Sequence, residues 1–119
     1  MQIRWLGHSC FLIEAEDTKI LTDPYNSSTG YKASFPEVDL VLVSHEHGDH
    51  NSVKNVKAFK KVLKEGAEEF EGIKITAIPY FHDNAQGAKR GKISIFRIEA
   101  EDMVLAFLSD LGTLLTEKE

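Results

Sequence analysis

The first part of the chain consists of short apolar runs separated by polar residues. Each run is rich in aliphatic or β-branched side chains and is bounded by turn-forming residues, a pattern that predicts strands. The predicted strands cover residues 3–6, 10–15 and 19–22. Glu16-Asp17 is expected to form the turn between the last two, and Asp23-Pro24 ends the third strand, because proline cannot donate to a ladder. The polar segment 25–36 that follows is predicted to be a loop.

The middle of the chain contains one clear strand and one ambiguous segment. Residues 39–43 are predicted to form a strand, because positions 40–43 are a continuous apolar run, which is typical of a strand buried on both faces. Residues 52–65 permit two interpretations. Four apolar side chains approximate a helical stripe that Gly66 would end: Val53, Val56, Phe59 and Leu63. The end of the same segment, residues 61–64, also fits a strand.

The last third of the chain again follows a strand pattern. Residues 68–70 and 73–78 are predicted to form a hairpin around Glu71-Gly72, with Pro79 ending the second strand. A polar loop over 84–91 precedes two further strands, predicted at 93–98 and 103–108 with a turn at Glu101-Asp102. Residues 1–119 therefore read as a single strand-rich domain with little helix.

Residues 44–50, Ser-His-Glu-His-Gly-Asp-His, contain three of the five histidines of the chain. Imidazole nitrogens and carboxylates are ligands that Zn²⁺ and similar divalent ions prefer, and this segment follows a buried strand. In an extended backbone His45 and His47 can point the same way and share one ion. Gly48 is expected to let the chain turn sharply, so that Asp49 and His50 reach a second ion.

Composition limits the classes of function. The net charge of −5 argues against general nucleic-acid binding, which needs a basic surface. No apolar run approaches membrane-spanning length, and the N-terminus lacks the layout of a signal peptide, so we expect a cytoplasmic protein. The single cysteine, Cys10, rules out an intramolecular disulfide and is expected to be a small buried apolar residue.

These motifs resemble the metallo-β-lactamase superfamily, and within it the small metal-dependent hydrolases similar to ascorbate-6-phosphate lactonase. The signature of the superfamily is matched residue by residue by His45-x-His47-x-Asp49-His50. Four other parts of the chain match in order: residues 7–12, residues 21–24, His82 and residues 109–112. The resemblance covers essentially the whole chain.

The resemblance implies an α+β fold, the αββα sandwich, of which this chain matches mainly the β-rich N-terminal half. A second half would bring a further sheet, helices and the last histidine ligand, and no histidine follows His82 here. Thr116 and Glu119 fit a capping box with no helix behind it, which also suggests an incomplete domain; the alternative is a frayed polar tail. The chain departs from the branch before Asp110, where Phe107-Leu108-Ser109 replaces the usual His-Leu-Gly.

The resemblance also implies a set of metal ligands. The first ion would be held by His45, His47 and His82, and the second by Asp49, His50 and Asp110, with Asp110 between the two. The expected metal is Zn²⁺, as one or two ions, with Mn²⁺ or Fe²⁺ as alternatives. Three neutral imidazoles leave a fourth position open for water, as in a catalytic zinc site.

Asp49 is expected to have a second role, and three further residues are expected to contribute. Asp49 would also be catalytic, transferring a proton next to the nucleophile. Asp23 would support a metal-bound imidazole by accepting its other N–H, and His8 would lie near the metal cleft. Arg90, in the only dense basic run, is a candidate contact for an anionic substrate.

The resulting functional hypothesis is a metal-dependent hydrolase acting on an ester, lactone or phosphoester of small-molecule size. The alternative is a metal-binding half-domain without turnover, which needs a partner chain, such as a second copy, to complete the site. A sheet meant to be covered by a second half would leave an apolar face exposed, and that favours association. Nucleic-acid processing is a weaker third option because of the acidic balance.

Overall fold

The computed structural model describes residues 1–30, 35–57 and 59–115. These residues form nine strands and two short 3₁₀ turns, Ser27–Thr29 and Val53–Asn55. The strands are β1 Gln2–Gly7, β2 Cys10–Ala15, β3 Thr18–Thr22, β4 Leu40–Leu42, β5 Lys61–Leu63, β6 Gly66–Phe70, β7 Ile73–Phe81, β8 Lys92–Ala100 and β9 Met103–Phe107. In the part of the chain described here, no helix is long and apolar enough to cross a membrane. The predicted capping box at 116–119 lies outside the described residues, as do residues 31–34 of the predicted loop.

The strands form two sheets. The first has the order β1-β2-β3-β4-β5, with β1 to β3 antiparallel and β3, β4 and β5 parallel. The second is an antiparallel meander of β6, β7, β8 and β9. Three of the connections are two-residue turns with positive φ at both positions, at 16–17, 71–72 and 101–102. Such turns match the twist of paired strands, so the three predicted turns are confirmed.

The hydrophobic core lies between the two sheets. Ile20 and Leu42 of the first sheet face Ile75, Phe96 and Ile98 of the second, and all five side chains are buried. A second apolar cluster covers the outer face of the first sheet. Its members include loop residues as well as strand residues: Cys10, Leu12, Leu21, Tyr25, Phe35, Val38, Val41, Val43 and Val56. The apolar part of the predicted strand at 39–43, residues 40–43, is therefore buried on both faces, whereas Asp39 is partly exposed.

Two predicted details differ from the structure. The described residues of 52–65 contain no α-helix; a single 3₁₀ turn is followed by β5, so the strand alternative for the end of this segment is confirmed. Gly66 begins β6 and does not cap a helix. Pro79 does not end β7, which continues to Phe81. The reason is that β6 pairs with β7 only up to Ala77, so one edge of β7 is open beyond it and tolerates proline.

One side of the sandwich is apolar and open. A cleft of about 160 Å³ lies between the first two strands of the first sheet and the last two of the second, lined by Ile3, Phe11, Ile13, Ile98, Leu105, Ala106 and Phe107. Ile3 and Val104, on the two edge strands, are more than half exposed. Apolar side chains concentrated along such an edge are typical of an interaction surface.

Candidate metal centre

The candidate ligands lie at the ends of strands, where the sheet stops and the backbone turns. Asp23 follows β3 and His45 follows β4 after a two-residue gap, and these parallel strands end at the same edge of the first sheet. His82 directly follows β7, and Asp110 lies shortly after β9. The fold thus brings together residues that are far apart in sequence.

Asp23 is fully buried and organises this end of the sandwich. Its Oδ1 accepts a hydrogen bond from the backbone N–H of Ser44 at 2.8 Å. Its Oδ2 accepts from the hydroxyl of Ser44 at 2.6 Å, from the hydroxyl of Ser109 at 2.7 Å and from Nδ1 of His50 at 2.9 Å. A single carboxylate therefore links the segments after β3, β4 and β9.

This hydrogen-bond network assigns the tautomers of two imidazoles. His50 donates its Nδ1–H to Asp23, and Nδ1–H of His45 donates to the Ser44 hydroxyl at 2.7 Å, because that hydroxyl already donates to Asp23. Each neutral ring then presents the lone pair of Nε2 to the centre of the cluster. A carboxylate that fixes a ring in this way is a common partner of metal-binding histidine.

The donor atoms of the cluster fit a divalent cation. Nε2 of His45, Nε2 of His50 and Nδ1 of His82 are buried and have no hydrogen-bond partner. Nε2 of His50 lies 2.9 Å from Oδ2 of Asp110, but the angle is not that of a hydrogen bond. Buried polar atoms are normally satisfied, so lone pairs gathered next to carboxylate oxygens call for a positive charge between them.

Two groups of ligand atoms share this centre. In each group the ligand atoms lie within 4.8 Å of one another: His45, His47 and His82 in the first, and His8, Asp49 and His50 in the second. A third grouping combines Asp23, His45 and His50, but Asp23 is already saturated by its hydrogen bonds.

Asp110 lies between the two groups. Its Oδ2 is 2.9 Å from Nε2 of His50, 3.3 Å from Nε2 of His82 and 3.8 Å from Nε2 of His45. One carboxylate oxygen in this position can contact an ion on either side. All six predicted metal ligands therefore lie in one cluster, with Asp110 in the middle.

The pKa values of His45 and His50 are shifted in opposite directions. Burial, reinforced by the neighbouring His50 and His47, lowers the pKa of His45 to about 4, so this ring is neutral at pH 7. Burial also disfavours the charged form of His50, but the hydrogen bond to Asp23 and the carboxylates of Asp110 and Asp49 outweigh it and raise its pKa. The carboxylates thus favour a positive charge beside His50, whether a second proton or a metal ion.

The side of the cluster near Asp49 is open to solvent. A cavity of about 420 Å³ lies there, lined by His8, Asn26, Ser28, Thr29, Gly48 and Asp49. Burial disfavours ionisation of Asp49, but the nearby His50 and the hydrogen bond from His8 outweigh it and lower its pKa. Asp49 is therefore an anion that faces both the cluster and the cavity.

Two further expectations from the sequence have structural outcomes. Gly48 does not use a positive φ, and a Cβ there would lie 3.0 Å from the side-chain Nδ2 of Asn26. The side chain of Arg90 is exposed, and its backbone N–H donates to Asp83. Its contact with a substrate stays a prediction.

Sequence reasoning missed Ser44, Asp83 and Ser109. The first and last hold Asp23, as described above. Asp83, next to His82, accepts four backbone N–H groups of the following loop, from Ala85, Gly87, Lys89 and Arg90. These hydrogen bonds outweigh the opposing effect of burial and hold the pKa of Asp83 far below its ordinary value. An aspartate that opens a loop with two glycines is a weak signal for such a cap.

The fold and the site define a class of protein: a two-sheet sandwich that gathers imidazoles and carboxylates at its strand ends. The family is shown by sequence, because the model of the Beta-lactamase superfamily domain matches residues 2–119. The chain belongs to this family, as the resemblance predicts.

Relatives and solved structures agree with this assignment. The chain is 31% identical over 114 residues to a UPF0173 metal-dependent hydrolase of Methanopyrus kandleri, covering 71% of this chain and 48% of the relative. It is 30% identical over 137 residues to a UPF0173 metal-dependent hydrolase of Methanocorpusculum labreanum, covering 94% of this chain and 61% of that relative. A proposed Zn-dependent hydrolase of the metallo-beta-lactamase superfamily from Thermotoga maritima superimposes with a TM-score of 0.73 at 33% identity, covering 98% of this chain and 53% of that one. The chain thus spans about half the length of such relatives.

Proposed function

We propose that this chain is the metal-binding part of a hydrolase that uses a divalent ion to cleave an ester, lactone or phosphoester of a small molecule. The observation that carries the proposal is that Nε2 of His45 and Nε2 of His50 are buried without a hydrogen-bond partner, at 3.8 Å and 2.9 Å from Oδ2 of Asp110. The names of relatives, which describe metal-dependent hydrolases, support the reaction class.

The metal would be held by His45, His47 and His82 on one side and by Asp49 and His50 on the other, with Asp110 between them. Zn²⁺ is the ion that suits nitrogen-rich sites with a few carboxylates, and Mn²⁺ or Fe²⁺ are the alternatives. When bound, such an ion polarises the scissile group and makes hydroxide available near neutral pH. Asp23 keeps His50 in the tautomer that binds a metal.

Side chains of this chain would supply the proton transfer and the contacts with the substrate. Asp49 is ionised and borders the open cavity, so it can accept a proton from an entering water and return it to a leaving group. The cavity walls offer the neutral hydrogen-bonding side chains of Asn26, Ser28 and Thr29, which suit a hydroxylated or carbonyl substrate. Arg90 is the proposed contact for an anionic group of a larger substrate.

The second candidate is a half-domain that binds metal without turnover until a partner covers it. The apolar cleft between the edge strands favours this alternative, because it offers a surface that a second copy or a further half of an αββα sandwich would bury. The two candidates differ in whether the 119-residue chain alone is active.

The test is an assay of the purified chain with p-nitrophenyl acetate, a simple lactone and bis(p-nitrophenyl) phosphate. We expect hydrolysis that chelation abolishes and Zn²⁺ restores, and that His47→Ala removes. Arg90→Ala tests the proposed contact with an anionic group and should raise only the KM for the phosphate substrate. Zinc binding without hydrolysis by a monomer would instead support the half-domain, and absence of zinc binding would contradict both candidates.

A further inference from the structure

The turn between β1 and β2 brings a histidine to the open side of the metal centre. His8 is remote in sequence from the cluster at 44–50, yet its Nε2 lies 2.8 Å from Oδ2 of Asp49. Its ring also approaches His50, with 4.8 Å between the ring centroids. The family resemblance gives His8 no place among the ligands and, among the residues of this chain, gives the second ion only one imidazole, that of His50.

The backbone holds His8 in an unusual conformation. Its φ is 51°, in the left-handed region that favours glycine, and it follows Gly7 with φ of 112°. Hydrogen bonds fix the turn from three sides: Nε1 of Trp5 donates to the His8 carbonyl at 2.9 Å, Oγ1 of Thr22 donates to the Ser9 carbonyl at 3.0 Å, and the Tyr25 hydroxyl donates to the Leu6 carbonyl at 2.6 Å. These hydrogen bonds hold the turn between β1 and β2, and with it His8, beside the metal centre.

The donor set around His8 matches a cation site. Nε2 of His50 is buried, has no hydrogen-bond partner and lies 3.5 Å from the same Asp49 oxygen that His8 contacts. Ligand atoms of a tetrahedral zinc site lie about 3.3–3.6 Å apart, given bond lengths of about 2.0–2.2 Å. The His8–Asp49 pair, at 2.8 Å, needs to open by about 0.5–0.8 Å to reach that spacing.

We propose that His8 Nε2 is a ligand of the second divalent ion, together with His50 and Asp49, and with Asp110 on the side of the first ion. This inference rests on the proposed metal-dependent function and adds a ligand to it. The second site is then supplied entirely by residues of this chain. Because His8 and Asp49 border the cavity, this ion is the one that faces an entering substrate.

The alternative is that His8 binds no metal and only orients Asp49 through a hydrogen bond. Two substitutions separate the roles. His8→Gln retains an N–H donor of similar reach but provides no imidazole lone pair. His8→Asn tolerates the left-handed backbone and serves as the folded variant if His8→Gln is unstable.

The experiment is titration of the metal-free chain with Zn²⁺ by calorimetry and with Co²⁺ by visible absorption, after circular dichroism has verified folding. We expect two ions per wild-type chain, and one ion in both variants with the affinity of the remaining site unchanged within about threefold. His47→Ala is the reciprocal control and should weaken the other site.

Each of the other outcomes would contradict either this proposal or the proposed function. Two ions in His8→Gln but one in His8→Asn would show a hydrogen-bonding role and overturn the proposal. Two ions in both variants, or one ion in the wild type, would also overturn it while leaving the three-imidazole site and the proposed function intact. Failure of the wild type to bind any metal would contradict the proposed function itself.

Discussion

Asp23→Asn tests how far the centre depends on one buried carboxylate. Asp23 accepts four hydrogen bonds, two of them from Ser44 and one each from Ser109 and His50. Asparagine has nearly the same shape but a single acceptor oxygen, so its amide NH₂ must face at least one of these donors. One of the two hydroxyls can instead donate to the other, because their oxygens are 2.8 Å apart, but the Ser44 N–H and the His50 Nδ1–H have no such alternative acceptor.

The magnitude follows from these contacts. One buried N–H left without an acceptor costs about 1–3 kcal/mol, and the loss of the negative charge weakens the remaining bonds by about 1 kcal/mol more. We expect the free energy of unfolding to fall by about 2–4 kcal/mol, which leaves most domains folded. The affinity for zinc should fall about 10–100-fold, because His50 loses the acceptor that fixes its tautomer.

The assay combines urea unfolding with zinc titration, and Asp39→Asn is the matched control. Asp39 also accepts a backbone N–H, from Lys19 at 2.8 Å, and pairs with Lys60, but it lies away from the centre and is partly exposed. We expect the control to lose less than about 1 kcal/mol and to keep its zinc affinity. The reasoning is refuted if Asp23→Asn binds zinc as tightly as the control does.

Three further predictions concern residues around the centre. Ser109 has a positive φ of 49° and donates a hydrogen bond to Asp23. Both Ser109→Ala and Ser109→Gly lose the hydrogen bond, but only glycine adopts this φ without strain, so Ser109→Ala should lower the free energy of unfolding by about 1 kcal/mol more. Equal effects of the two variants in urea unfolding would contradict this. Asp83→Ala should weaken zinc binding about tenfold in a calorimetric titration, because the loop after His82 loses four hydrogen bonds; unchanged affinity would argue against such positioning. Burial raises the pKa of the Cys10 thiol, and Asp23 raises it further by a smaller amount, so the thiol is protonated at pH 8. Because the side chain is also buried, a maleimide should label Cys10 only in denaturant. Rapid labelling of the folded chain would contradict the burial of Cys10 in the core.

Local patterns were sufficient to predict most of the strands. The two-residue turns at 71–72 and 101–102 are visible because short apolar runs flank Gly72 and Asp102, residue types that tolerate positive φ. The helical stripe over 52–65 misled because its apolar residues serve different parts of the fold. Val56 belongs to the cluster outside the first sheet, whereas Leu63 faces the core between the sheets. Periodicity alone cannot separate these cases.

The candidate site was predictable where its residues form a motif and not where they act through distant contacts. The segment 44–50 is recognisable from its density of histidine and acidic residues, and His82 and Asp110 were found through the resemblance. Ser44 and Ser109 were missed because a serine that bonds a buried carboxylate has no distinctive neighbours in sequence. Their partner comes from another strand end, and only the parallel pairing of β3 with β4 and the return of β9 bring them together.

The central claim is that the imidazoles and carboxylates at this end of the sandwich hold a divalent ion. The most direct measurement is the zinc content per chain, by plasma mass spectrometry, of the wild type and of the double variant His45→Ala/His47→Ala after equilibration with Zn²⁺ and removal of the excess. The account predicts at least one tightly bound zinc ion per wild-type chain and a large loss in the double variant. An equal zinc content in the two proteins would contradict it.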